Sequence, residues 1–411
     1  MLSPYRVLDL TDEMGFLAGK ILGDLGADVI KIEPPGGSPA RKIGPFYKDT
    51  PDPEKSLYWF AYNNNKRGIT LNIETARGRE LFRQLAGTAH IVLESFCPGY
   101  LDGMDVGYPA LSRINPRLVL TSITPFGQTG PCSRQSASDL EIMAISGSMS
   151  LAGQPDREPL RVSVPQSYMW AGMHGAAGTL MALFHSNVAG EGQHVDVSAQ
   201  AAVVCCQAQA PIIWDITKTN ATRDGFYLTG RSITGAKMRV IWETKDGYAN
   251  FIIYGGPAGR RTNQALAEWM ASVGKPSPVW LEKDWTKFDI ATVTQAEVDE
   301  LEAPLSDFFS GITCQEFFEG VIERDMLGYP VATAREMFSD PQLQSRDYWV
   351  KLEHPELGDA LTYPGPFAKF SKTPFTLRRR APLIGEHNQE VYAELGLGQE
   401  ELTKLEEAKV I

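Results

Sequence analysis

The chain has 411 residues, too many for one ordinary core, so two domains are expected. Hydrophobic residues at 43% and charged residues at 22% give the balance of a globular protein and exclude a disordered one. The net charge of −11 argues against a nucleic-acid surface and an anionic membrane, though a small basic pocket for an anion remains compatible with it.

The first third alternates strand and helix patterns. Residues 7–10 read as a buried strand, and 15–25 as a helix with Leu17, Ile21, Leu22 and Leu25 at helical spacing and Gly26 as its stop. Residues 28–33 form the next strand. Residues 69–73 repeat the cycle, followed by a helix over about 75–85. Residues 90–96 and 118–123 supply further strands. This spacing predicts βαβ units and a mostly parallel sheet in an α/β fold. The turn after the first strand reads T-D-E-M-G rather than G-x-G-x-x-G, and its two carboxylates would repel a pyrophosphate, which argues against an NAD-type site.

Residues 169–185 form an apolar helix rich in glycine and alanine, which allows close packing; it is too short for a membrane span. A turn at 190 leads into a strand ending at 197, and another helix runs to about 213. Residues 1–214 therefore read as the N-terminal part of a large domain, and 215–236, rich in Thr, Gly and Arg, as a linker. Residues 237–254 read as a β-hairpin turning at 245–247, and helical patterns follow, giving a small α+β domain over 237–327. Residues 328–411 return to the large domain, and their charged tail reads as a solvated helix. The five cysteines include no C-x-x-C pair, and no leader pattern precedes the first strand. A reduced, cytoplasmic chain without a metal site is expected.

A series of short motifs, in order along the chain, resembles the family III CoA-transferases. They are V-L-D-L-T at 7–11, L-G-A-D-V-I-K-I-E at 25–33, Arg41, N-K-R at 65–67, E-S-F-C-P-G at 94–99, I-N-P-R at 114–117 and F-G-Q-T-G-P at 126–131. G-E-G-Q-H-V-D-V at 190–197 and A-P-L-I-G-E-H at 381–387 complete them. The resemblance implies a Rossmann-like large domain built from both ends of the chain, a smaller inserted domain, and two subunits interlocked as a dimer. It implies CoA thioesters as substrates and no tightly bound cofactor.

The family's reaction runs through an enzyme carboxylate. That carboxylate attacks the donor thioester to give a mixed anhydride; CoA then attacks the enzyme acyl carbon, and the acceptor acid finally takes the CoA. A phenol cannot carry both intermediates. The resemblance places the nucleophilic aspartate where this chain has Tyr168, and no Asp or Glu lies between Arg161 and Ala189. Asp139 is the nearest spare acid; it is either the N-cap of the helix that follows or a substitute nucleophile. Ser138 and Tyr168 stand where the family's racemases keep a histidine and an aspartate, so two-base racemase chemistry is set aside.

Arg41, Leu71 and Phe96 match positions that hold CoA in the family. Glu74, Ser95 and Gly103 stand where a lysine, an asparagine and an arginine are expected. Each lost charge-assisted contact is worth about 1.5–3 kcal/mol, so a weakened CoA site is expected. The family's glycine-rich lid would fall at Gly230 to Gly235, where a simple turn is an equal reading. These features imply a subunit without its own nucleophile, paired with a paralogous catalytic subunit. The resemblance, and no residue of the site, implies that the complex would move CoA from a donor such as succinyl-CoA to a small carboxylic acid such as (R)-benzylsuccinate. An active homodimer using another carboxylate and a non-enzymatic acyl-CoA-binding regulator remain as alternatives.

Overall fold

The computed structural model describes all 411 residues and divides into two compact units. The first takes residues 1–149, 161–220 and 342–411; the second takes 150–160 and 221–341. No helix is long and apolar enough to cross a membrane.

The first unit is built on six strands: β1 (Arg6–Asp9), β2 (Asp28–Glu33), β3 (Lys66–Thr70), β4 (Ile91–Glu94), β5 (Val119–Thr124) and β6 (His194–Ser198). Every pairing is parallel, in the order β3-β2-β1-β4-β5-β6. That is the doubly wound order, which reverses direction between β1 and β4 and opens a crevice at the carboxyl ends of those two strands. The helices before residue 220 are α1 (Phe16–Asp24), α2 (Leu57–Asn63), α3 (Ala76–Thr88), α4 (Tyr100–Gly103), α5 (Tyr108–Ile114), α6 (Asp139–Ile145), α7 (Ser167–Ala189), α8 (Ala199–Cys206) and α9 (Gln209–Thr217), and the C-terminal segment adds helices at Asn388–Ala393 and Gln399–Glu407. Ser56, Thr75 and Ser198 cap α2, α3 and α8 by accepting N–H bonds from the first turn.

The glycines of α7 act as the sequence suggested. A Cβ at Gly172 would meet the Leu17 Cβ at 2.8 Å, and one at Gly175 would meet the Ile123 Cδ1 at 2.6 Å. Only hydrogen lets α7 seat against α1 and β5 at that distance.

Strand β3 begins three residues before the predicted 69–73. Its first two residues, Lys66 and Arg67, are charged yet buried, which hid them from a hydrophobic reading. The Lys66 ammonium reaches Asp9 at 2.8 Å, Asn63 at 2.9 Å and the Phe16 carbonyl at 3.1 Å. Arg67 pairs with Asp28, Glu390 and Glu394, tying the sheet to the C-terminal segment. Lys31 lies on the other side of Asp9, at 3.2 Å. Burial alone would raise the Asp9 carboxyl, but the two ammoniums override it and hold it at about 2.

The second unit carries its own aromatic core, including Trp242, Trp269, Trp280, Phe308, Phe309 and Phe317. Ile241–Glu243 and Tyr248–Asn250 pair antiparallel, and Tyr329–Pro330 adds a third strand. This is a shorter hairpin than 237–254, because Met238–Arg239 pairs instead with Tyr227–Leu228. The unit is wider than the 237–327 span read from sequence. It starts within the stretch read as a linker, and residues 150–160 join it where Arg223 donates to the carbonyls of Gln154 at 3.2 Å and Arg157 at 3.0 Å.

Candidate active-site cleft

The crevice between β1 and β4 is a cleft of about 540 Å³. Thr11 and Asp12 after β1, Ser95 and Phe96 after β4, the end of β2, and Leu71 to Glu74 after β3 line it. A second cavity of about 240 Å³ shares Asp12, Ser95 and Phe96 with the first. Its other walls include Glu13, Arg134 and Tyr168. The Ser95 hydroxyl accepts the Asp12 N–H at 2.7 Å, which locks the two loops together.

Tyr168 is the second residue of α7 and is half-buried. Burial, then the carboxylates Glu13 and Asp12, push its phenol up to about 12. The group is neutral at physiological pH and is a poor nucleophile there.

Asp139 is not the N-cap of α6. Ser138 holds that position, in a capping box with Glu141. The Asp139 carboxylate instead turns to the start of α7, where one oxygen accepts both the Ser167 N–H and the Ser167 hydroxyl at 2.8 Å. Gln166, the N-cap of α7, offers no side-chain cap, so Asp139 supplies one from another part of the chain. Its charge also faces the positive end of the helix dipole. It is buried and committed to a structural bond beside Tyr168.

The predicted CoA positions separate into two groups. Leu71, Glu74, Ser95 and Phe96 line the cleft. Arg41 does not. Each of its guanidinium nitrogens already has an acceptor: Glu33 takes two bonds at 2.6 and 2.8 Å, Glu54 one at 2.7 Å and the Pro382 carbonyl one at 2.9 Å. Arg41 also stacks over Trp59 at 3.9 Å and is fully buried. Its bonds hold the fold and leave no nitrogen without an acceptor for a phosphate. Gly103 ends α4 at the surface, where a Cβ would meet nothing within 4 Å.

Gly230 and Gly235 both adopt positive φ, at 69° and 77°. The loop between them is pinned within the second unit. Ser232 and Thr234 donate to the Val293 carbonyl at 2.8 and 2.6 Å, and the Ile233 N–H donates to Ala291 at 2.8 Å. A hydrogen-bonded turn describes it.

Two residues of the site, Glu13 and Lys409, and one beside it, Tyr58, escaped the sequence. Glu13 faces the cavity of Tyr168, and burial followed by the Asp12 charge raises its carboxyl above the usual range. Its place in T-D-E-M-G could have flagged it, since that turn follows a strand at the switch point. Tyr58 carries a buried hydroxyl with no hydrogen-bond partner, and Glu13, Tyr62 and Tyr168 contribute to its electrostatic surroundings. Lys409 lines the cleft because the Val410 carbonyl accepts the Asn72 N–H at 2.7 Å. Nothing in the local sequence announces that contact.

Comparison with known proteins decides the family. The profile of CoA-transferase family III matches residues 2–388. The chain belongs to CoA-transferase family III. It is 34% identical to the succinyl-CoA:(R)-benzylsuccinate CoA-transferase subunit BbsE of Thauera aromatica, covering 98% of this chain and 96% of that one. It is 31% identical to a formyl-CoA:oxalate CoA-transferase of Streptomyces coelicolor, over 99% of this chain and 98% of that one. A CAIB/BAIF family crystal structure from Brucella suis superposes with a TM-score of 0.79 at 27% identity, covering 95% of this chain and 98% of that one. Family III enzymes transfer CoA between carboxylic acids, with acyl-CoA thioesters as substrates.

Proposed function

We propose that this chain is the non-catalytic subunit of a heteromeric family III CoA-transferase. The observation that carries the reading is Tyr168 at the start of α7, with no carboxylate between residues 161 and 189. Asp139, the nearest acid on the neighbouring helix, is bonded to Ser167. The nucleotide-side changes point the same way, since Glu74 brings a negative charge into the cleft. The partner is a paralogue that keeps its aspartate, and the two chains interlock. An apolar surface on α7 and α9 supports a partner: Phe184 is 72% exposed, Val188 73% and Ile216 76%. Succinyl-CoA as donor and (R)-benzylsuccinate as acceptor are proposed from the likeness to the subunit named above.

The test is turnover of succinyl-CoA with (R)-benzylsuccinate by this chain alone, by the paralogue alone and by the two together. Activity only in the presence of the paralogue is expected. Full activity of this chain by itself overturns the reading. A second reading, an active homodimer, draws on one observation: Glu13 shares the cavity of Tyr168, with burial raising its carboxyl.

A further inference from the structure

Three adjacent strands bring an acid, a hydroxyl and an imidazole together beside the cleft. Glu94 ends β4, directly before Ser95 and Phe96. Its register partner on β5 is Ser122. On β6, His194 pairs with Leu120, two residues before Ser122 and on the same face of the sheet. The Ser122 hydroxyl bonds to the Glu94 carboxyl and lies 2.8 Å from His194 Nε2. Glu94 and Ser122 are buried, whereas His194 reaches the surface. All three line a small cavity of about 20 Å³, together with Cys97, Asp102 and Tyr108. Tyr108 stacks on the imidazole with ring centroids 5.8 Å apart and donates to the Gly192 carbonyl at 3.0 Å, which holds the ring from one side.

The other end of this chain of bonds reaches the cleft. Glu94 Oε2 accepts the Phe96 N–H at 2.7 Å, and Phe96 lines both cavities of the cleft. An N–H bond to an ionised carboxylate is roughly twice as strong as one to a neutral acceptor. The protonation of Glu94 therefore sets how firmly that wall is held. Burial raises the Glu94 carboxyl to about 7 against the bonds from Ser122 and Phe96, and the charges of Asp12 and Asp102 add to the rise. Burial lowers His194 below its ordinary value, against Asp196 and Asp102, so the imidazole is neutral in that range. Tyr100 and Tyr108 are raised and stay protonated. Ser122 has one proton to give. With Glu94 ionised, Ser122 gives it to the carboxylate, and His194 Nε2–H donates to Ser122 Oγ. When Glu94 takes a proton from solvent, its O–H donates to Ser122 and Ser122 donates to His194 Nε2. The imidazole then carries its one proton on Nδ1, by exchange with solvent, so a single proton is gained in all.

We propose that Glu94, Ser122 and His194 form a reversible hydrogen-bond relay that positions the Phe96 wall of the cleft, firm when Glu94 is ionised and loosened when it is protonated. Ser122 and His194 are positioning residues, acting through Glu94. Tyr168 takes no part in the relay, so the inference goes beyond the subunit reading and stands whichever chain supplies the nucleophile.

The test is an NMR titration of the full chain, labelled with nitrogen-15 in phenylalanine and histidine, between pH 5.5 and 9.5. Phe96→Leu assigns the Phe96 amide, and His194→Asn assigns the His194 ring. The wild-type Phe96 amide should shift with a midpoint at about 7. Over the same range, as pH rises, His194 should pass from the Nδ1–H to the Nε2–H tautomer. Glu94→Gln should abolish both changes. Ser122→Ala should raise the Phe96 midpoint by about one pH unit, since the ionised carboxyl loses a donor, and should uncouple His194. Cys97→Ser should leave the midpoint in place, because the thiol of the same cavity is not the titrating group. A wild-type Phe96 amide that stays flat overturns the proposal, as does a His194 tautomer that never changes. An unmoved midpoint in Ser122→Ala, or loss of the titration in Cys97→Ser, overturns it too. Circular dichroism establishes that each variant is folded, and the two wild-type titrations decide the matter alone where one is not.

Discussion

Replacing Asp139 separates a structural carboxylate from a chemical one. One oxygen of Asp139 accepts two bonds from Ser167 at 2.8 Å, at a helix start whose own N-cap gives none. Asp139→Ala leaves the buried Ser167 N–H and hydroxyl without that acceptor. Bonds to a charged group are worth about 1.5–3 kcal/mol, and loss of a cap costs about 0.5–2 kcal/mol. The two descriptions overlap, so a destabilisation of about 2–3 kcal/mol is expected. Asp139→Asn keeps an acceptor and loses the charge, and should cost about half as much. Urea unfolding of the first unit measures both. In the assembled complex, both variants should keep appreciable turnover, because the carboxylate reacts with nothing. Near-total loss of turnover by Asp139→Asn, with assembly and folding intact, would refute the reasoning and make Asp139 the nucleophile.

Other outcomes follow from the same structure. Tyr168→Asp alone should leave the lone chain inactive, because Glu74 still faces the cleft and Asp12 and Glu13 crowd the new carboxylate; a coupled CoA-release assay checks it. Lys66→Met should destabilise the first unit by about 3–5 kcal/mol, since it breaks a fully buried ion pair with Asp9, and chemical denaturation reads the change. Glu94 gives a pH signature. Burial raises its carboxyl from 4.5 to about 7 against the bonds from Ser122 and Phe96. A folded-state value above the unfolded one means the folded chain binds the proton more tightly. That stability is fully present below about pH 4.5 and is lost as pH rises through about 7. The loss amounts to about 3 kcal/mol by pH 9. Glu94→Gln should flatten the dependence, as seen by urea unfolding between pH 5.5 and 8.5.

The parallel sheet was legible because its strands are continuous apolar runs between helical repeats. β2 lies where it was read, over 28–33, and β1, β4 and β5 within a few residues. β3 was misplaced for a physical reason. Lys66 and Arg67 are charged, and their burial is made tolerable by ion pairs with carboxylates distant in the chain, Asp9 for Lys66 and Asp28, Glu390 and Glu394 for Arg67. The site divides similarly. Leu71, Glu74, Ser95 and Phe96, singled out through motifs at strand ends, line the cleft. Arg41 was found as a motif residue, but its ion pair with Glu33 cannot be read from spacing. Lys409 reaches the cleft by folding of the C-terminal tail, and Tyr58 is notable only for a bond it lacks. Periodicity reports on the chain's own neighbours and is silent on such distant contacts.

The central claim is that this chain does not supply the reactive carboxylate. Trapping the covalent intermediate tests it most directly. The assembled complex is incubated with succinyl-CoA, quenched with hydroxylamine, and each subunit digested for mass spectrometry. Hydroxamate confined to an aspartate of the partner chain is the predicted result. A hydroxamate on Glu13 or Asp139 of this chain would contradict the account.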